Sequence, residues 1–172
     1  MAGTLTRVSF PPVLTAEQAW QVVTKKAPGL RPAGQRLRWH PFSGFVFAVR
    51  HPLNAGGSPK RAFTLVDRLS GQATLTDPWP QLGELSAAQA GECVPDPGWN
   101  SIDADEAALR AHRLVSTAAL RRNRLATPAE ITVLRAVESL WKPNWLLTGA
   151  LDGRSLTILV DGINGGYYVV GS

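Results

Sequence analysis

Two short motifs recur in the same order along this chain, and any fold proposed for it has to use each of them twice. Trp39-His40-Pro41, followed by Gly44-Phe45-Val46-Phe47, has a counterpart in Trp141-Lys142-Pro143, followed by Asn144-Trp145-Leu146-Leu147. Downstream of each lies a second match, Leu65-Val66-Asp67-Arg68-Leu69-Ser70-Gly71 and Leu159-Val160-Asp161-Gly162-Ile163-Asn164-Gly165, with the common pattern L-V-D-x-[LI]-[SN]-G. The first pair is offset by 102 residues and the second by 94, so copy one carries 8 extra residues between its landmarks. Those residues are visible as the loop Asn54-Ala55-Gly56-Gly57-Ser58-Pro59-Lys60, where copy two turns at Asp152-Gly153, a favoured hairpin dipeptide.

Each copy reads as a helix followed by strands. Thr15 is an N-cap ahead of Ala16, Ala19, Trp20 and Val23, which share one helical face, and Pro28-Gly29 supplies a stop. Strands follow at 35–40, 44–51, 61–67 and 72–76. In copy two, Asp103 caps a helix running to about Leu125, with Ala107, Ala108, Ala111, Leu114, Val115, Ala118 and Leu125 as its buried stripe. Strands follow at 129–141, 145–151, 155–161 and 167–170. The expected fold is therefore α+β, built from two tandem helix-plus-antiparallel-sheet (αββββ) pseudo-repeats: residues 1–80, a proline-rich connection at 81–102 with a short helical turn near 86–90, and residues 103–172. The two repeats are free to form one domain or two.

Proline cannot donate a ladder hydrogen bond, so Pro41 and Pro143 are expected at a bend or edge where a long strand breaks in two. The preceding tryptophans then close the core. In each L-V-D-x-[LI]-[SN]-G segment a buried strand runs into an Asp that bonds backbone N–H groups of the turn, and the Gly takes a positive φ. A helix followed by a sheet whose last hairpin reads apolar-Val-Asp-x-x-[SN]-Gly resembles the PepSY-type module, whose closing hairpin commonly runs V-D-A-x-T-G. The resemblance covers each hairpin with its preceding helix, about half the chain, and omits the W-x-P motif. It implies a cystatin-like curved sheet against a helix and a non-enzymatic binding or inhibitory role, with no catalytic residues.

Chemistry-bearing patterns are sparse. Cys93 is the only thiol, so no internal disulfide forms, and this favours a reducing compartment. Residues 1–7 lack a basic start followed by an apolar run, which points to the cytoplasm. His40, His51 and His112 have no metal-ligand spacing with one another or with Cys93. No phosphate-binding glycine loop occurs. These readings assign no catalytic, metal or cofactor residue. The net charge of +5 permits nucleic acid, anionic membranes or acidic proteins as partners without selecting one, and because no stretch approaches the ~20 apolar residues of a membrane helix, no membrane partner is expected.

Five residues stand out as possible partner contacts. Arg110, Arg113, Arg121 and Arg124 fall near one face of the long helix, where a nucleic acid is one reading and a solvated face the other. Trp79, fixed between Pro78 and Pro80, is either a protein-contact anchor or a plug between copies. The function these observations favour is a protein-interaction or regulatory module with a protein partner or a second copy of itself, since open sheet edges invite pairing. The alternatives are a nucleic-acid-associated protein using the basic helix, and a small-ligand-binding or hydrolytic protein with a pocket between the repeats, for which a lining of His40, Asp67 or Asp161 would speak.

Overall fold

The computed structural model describes residues 7–52, 56–86, 102–122 and 128–171. Among these residues it is a mixed α+β structure of eight strands and two helices in the order β1 (Val8–Ser9), α1 (Ala16–Lys26), β2 (Arg31–Arg50), β3 (Lys60–Asp67), β4 (Ala73–Thr76), β5 (Gly83–Glu84), α2 (Ala104–Arg122), β6 (Glu130–Leu151), β7 (Arg154–Asp161) and β8 (Tyr167–Gly171). Each helix starts where its cap predicts. Thr15 Oγ1 accepts from Gln18 N at 3.2 Å while Gln18 Oε1 accepts from Thr15 N at 2.8 Å, a complete capping box. Asp103 Oδ1 accepts from Glu106 N at 2.8 Å and opens α2 in the same way.

The proline expectation is corrected. β2 runs without a break through Pro41, and β6 runs without a break through Pro143. Both prolines are fully buried. The strands survive because each proline stands one residue past the last ladder pair on its neighbour, Phe42↔Asp67 for Pro41 and Asn144↔Asp161 for Pro143. There the partner strand is already turning away, and only the proline carbonyl is needed. Pro41 O accepts from Arg68 N at 3.2 Å and Pro143 O from Gly162 N at 3.0 Å. The missing N–H therefore falls where the ladder ends anyway.

The contacts divide the chain into two compact units, and neither is a continuous stretch. One comprises Met1–Val8, Pro41–Pro80 and Pro95–Leu140; the other comprises Ser9–His40, Gln81–Val94 and Trp141–Ser172. Thus the first unit takes α2 with β3, β4 and the 41–50 part of β2, and the second takes α1 with β7, β8 and the 141–151 part of β6.

In the first unit the strands follow the order β4-β3-β2-β6, with antiparallel β2–β3 and β3–β4 ladders. Its core sets Phe45, Phe47, Val49 and Val66 against Ala107, Ala111, Val115 and Ala119. The helix residues recur every fourth position and are mostly alanine, so the helix contributes a narrow, smooth face and the sheet contributes the volume. The other face of β2 is buried as well. Gly44 has no room for a Cβ, which would lie 2.6 Å from the Trp79 ring and 2.8 Å from Leu140. Arg68 is 3% exposed and fastens this unit: Nε donates to Ile102 O at 3.1 Å, just before α2, and Nη1 donates to Ser43 Oγ at 2.9 Å. Ser43 Oγ in turn donates to Glu138 O on β6 at 2.7 Å.

In the second unit β6, β7 and β8 form antiparallel ladders, with β2 on the other side of β6. Ala19, Val23 and Leu30 pack against Leu147, Ile158 and Val160. Trp145 Nε1 donates to Leu14 O at 2.9 Å, and Val13 N and Leu14 N both donate to Gly162 O at 2.9 Å, which together seat the segment leading into α1. An ion pair between Lys142 and Asp161, both largely buried, fastens the end of the β6–β7 ladder opposite its hairpin turn.

The two L-V-D hairpins are geometrically alike. Asp67 Oδ1 accepts from Leu69 N and Ser70 N at 2.8 and 3.2 Å, and Asp161 Oδ1 accepts from Ile163 N and Asn164 N at the same distances. Gly71 and Gly165 close the turns at φ 75° and 76°, a region a side chain would strain. Both aspartates are thus occupied as turn-makers.

Candidate functional site

A sheet normally hides its apolar edge, and β8 does not. The β7–β8 ladder pairs Val160 with Tyr167, Leu159 with Tyr168 and Ile158 with Val169, before a bulge shifts the register near Thr157. Directly opposed residues share a face, so Tyr167 and Val169 continue the face that carries Ile158 and Val160. On β7 that face is closed, with Val160 at 0% and Ile158 at 4% exposure; on β8 it is open, with Tyr167 at 42% and Val169 at 55%. Tyr168, on the opposite face, and Val170, at the bulge, are exposed too. Because β8 pairs with β7 alone among the described strands, its outer N–H and C=O row is also unused by any of them. An apolar ribbon with one free hydrogen-bonding edge can accept an extended backbone, and this is the chemistry that the second unit offers.

The four arginines singled out on the long helix have different fates. Arg110 is turned to structural use: Nε donates to Glu106 Oε1 at 2.7 Å and Nη1 to Gly71 O at 2.9 Å, which pins α2 to the β3–β4 turn. Arg113 and Arg121 are exposed, and Arg124 lies outside the described residues. The described part of the stripe therefore presents two free cations rather than three.

Trp79 is half-buried within the first unit. Its ring meets Phe63 edge-on at 5.7 Å, and its Nε1 donates to Thr76 Oγ1 at 3.2 Å. It roofs Gly44 and Phe63 on the face of the sheet away from α2. Trp79→Ala is accordingly expected to destabilise the chain by roughly 1–2 kcal/mol, less than the ~3–5 kcal/mol of a fully buried Trp because part of the ring stays in water. Urea denaturation checks this; an unchanged midpoint would mean that the ring contributes nothing to packing.

Asp67 lies in the first unit and His40 and Asp161 in the second. Cys93 and the helical turn expected at 86–90 fall outside the described residues, apart from Ser86, which is in no helix. No group of three or more potential metal ligands occurs among the described residues, and no described helix is long and apolar enough to cross a membrane. The surface that the sequence did not single out is β8. Tyr167-Tyr168-Val169-Val170 has no polar alternation, and such a run ordinarily signals a strand buried on both faces. No family model, curated protein or solved structure matches this chain.

Proposed function

We propose that this chain is a non-enzymatic protein-interaction module whose docking surface is the β8 edge, and that the strand it accepts is β8 of a second copy. The carrying observation is that the apolar face of Ile158 and Val160 runs out uncovered onto Val169 and Tyr167 at a free strand edge. Antiparallel self-pairing about Tyr168 would set Tyr167 opposite Val169 on both sides of a two-fold axis. Aromatic and β-branched residues are favourable cross-strand partners, and an isologous two-fold contact is the commonest way for a chain to use one surface twice. The strand is short, so its backbone bonds would need the exposed side chains around it to complete the interface.

A tandem duplication and the PepSY-type resemblance support the same reading. The matched aspartate turns and the matched proline positions are what two copies of a small binding module would retain, with each helix packed on the strands of the other copy. The basic-helix alternative is weaker, because Arg110 is held by Glu106 and Gly71.

Sedimentation equilibrium tests the proposal. The wild-type chain should dimerise, and Val169→Lys, which places a charge in the paired edge without touching a buried side chain, should be monomeric with an unchanged urea midpoint. A wild-type chain that is monomeric up to its solubility limit, or a Val169→Lys variant that dimerises as well as wild type, would overturn it.

A further inference from the structure

The basic residues Arg68, Arg110 and Lys142 are engaged inside the fold. His51, Lys60, Arg61 and Arg122 are not: no ion pair joins any of them to a described residue, and all four line one cleft of the first unit. The cleft exists because β3 outruns β4. Their ladder ends at Phe63↔Thr76, so Lys60, Arg61 and Ala62 continue with no β4 residue beside them. The chain leaves that point through Asp77-Pro78, and the last turns of α2 form the opposite wall.

Small side chains make the room. Ala62 on the sheet and Ala118 and Ala119 on the helix face a space of about 210 Å³, floored by the buried Val49 and Val115. Sites for drug-sized ligands run to roughly 300–1,000 Å³, so this one suits something smaller. On the α2 side its rim carries two permanent cations, Lys60 and Arg122, and His51, against one carboxylate, that of Asp77; Arg61, paired with Ala48, belongs to the opposite face of β3. Arg122 also complements the carbonyl end of α2, but Lys60 comes from β3 and has no helix end to answer.

We infer that this cleft binds a small organic anion, a carboxylate or phosphate monoester joined to a short apolar body. The charged oxygens meet Lys60 and Arg122, and the body covers Ala62, Ala118 and Ala119. This site lies in the first unit and is independent of the β8 edge.

Titration of the full ¹⁵N-labelled chain with four probes tests the assignment: 3-phenylpropionate, phenyl phosphate, the neutral 3-phenylpropionamide and inorganic phosphate. At least one aromatic anion should give saturable shifts in the amides of residues 60–63 and 115–122, and the tighter of the two identifies the head group. The neutral amide should bind about tenfold more weakly or worse, because a charge-assisted contact is lost. Lys60→Gln and Arg122→Gln should each weaken the anion by about two- to fivefold, the range of a solvent-exposed ion pair, whereas Arg61→Gln, on the opposite face of β3, should leave it unchanged. Ala118→Leu, which fills the cleft and leaves the cations in place, should abolish the aromatic probes.

Absence of saturation with both aromatic anions would overturn the inference. So would equal affinity for the neutral amide, or undiminished binding in Ala118→Leu. Inorganic phosphate bound as tightly as phenyl phosphate would overturn the organic-anion class.

Discussion

Phe47→Ala is expected to cost about 3–5 kcal/mol, the largest loss of any single side chain in the first unit. Phe47 is 1% exposed, stacks on Phe45 at a centroid distance of 6.3 Å and meets the His112 ring edge-on at 6.1 Å. The facing helix offers Ala107, Ala111 and Ala119 with only Val115 among them. Side chains that small cannot reach into the space a missing ring leaves, so the cavity stays open and its cost adds to the lost burial. Domains of this size have about 5–15 kcal/mol in total, so the variant should show a large fall in its urea midpoint. A loss below about 1 kcal/mol would show that α2 does not rest on this strand.

Arg68→Met should be the second large effect, at about 1.5–3 kcal/mol. The substitution keeps most of the stem and deletes the guanidinium, leaving Ile102 O without the Nε donor that reaches it at 3.1 Å and Ser43 Oγ without its partner at 2.9 Å. Glu138 O loses the longer bond from Arg68 Nη1 at 3.4 Å but keeps its bond from Ser43, so the β6 end of the network is less affected than the α2 end. Arg68→Lys should recover only part of the loss, because an ammonium cannot reproduce the planar fork across three acceptors. Hydrogen exchange should locate the damage at the start of α2. Wild-type protection there in Arg68→Met would mean that the Arg68–Ile102 bond does not hold the helix.

Much of the local structure was legible. Thr15 and Asp103 mark their helices because a short oxygen side chain satisfies N–H groups that no helix can satisfy by itself. Asp67 and Asp161 mark their turns for the same kind of reason, and Gly71 and Gly165 because only glycine enters a positive φ without strain. The alternation of Phe45 and Phe47 identified one core-facing side of β2. These are short-range facts, and the sequence carries them within a few residues.

The prolines show where such reasoning stops. A missing N–H is a local property, but whether it matters depends on whether a partner strand is there to want it. At Pro41 and Pro143 the partner has already turned, so strands of 20 and 22 residues pass through unbroken. Trp79 is similar: its neighbours in sequence are prolines, while its burial comes from Phe63 and Gly44, brought to it by strand pairing.

The α+β class, both helices with their caps, the aspartate turns and the later strands of each copy are legible in the chain, because each rests on hydrogen bonds and periodicities that close over a few residues; the short β1 and β5 and the unbroken course of β2 and β6 are not. Which helix covers which strands is a matter of packing. Sequence order placed each helix on the strands that follow it, but the apolar faces of β3 and β7 read almost identically, Leu65-Val66 against Leu159-Val160, and the packing is exchanged: α1 packs with Ile158 and Val160, and α2 with Phe45 and Val66. Only the tertiary structure decided that Tyr167 and Val169 stand open beside a closed neighbour, since exposure is set by what fails to cover a residue, and that is written nowhere near it in the chain.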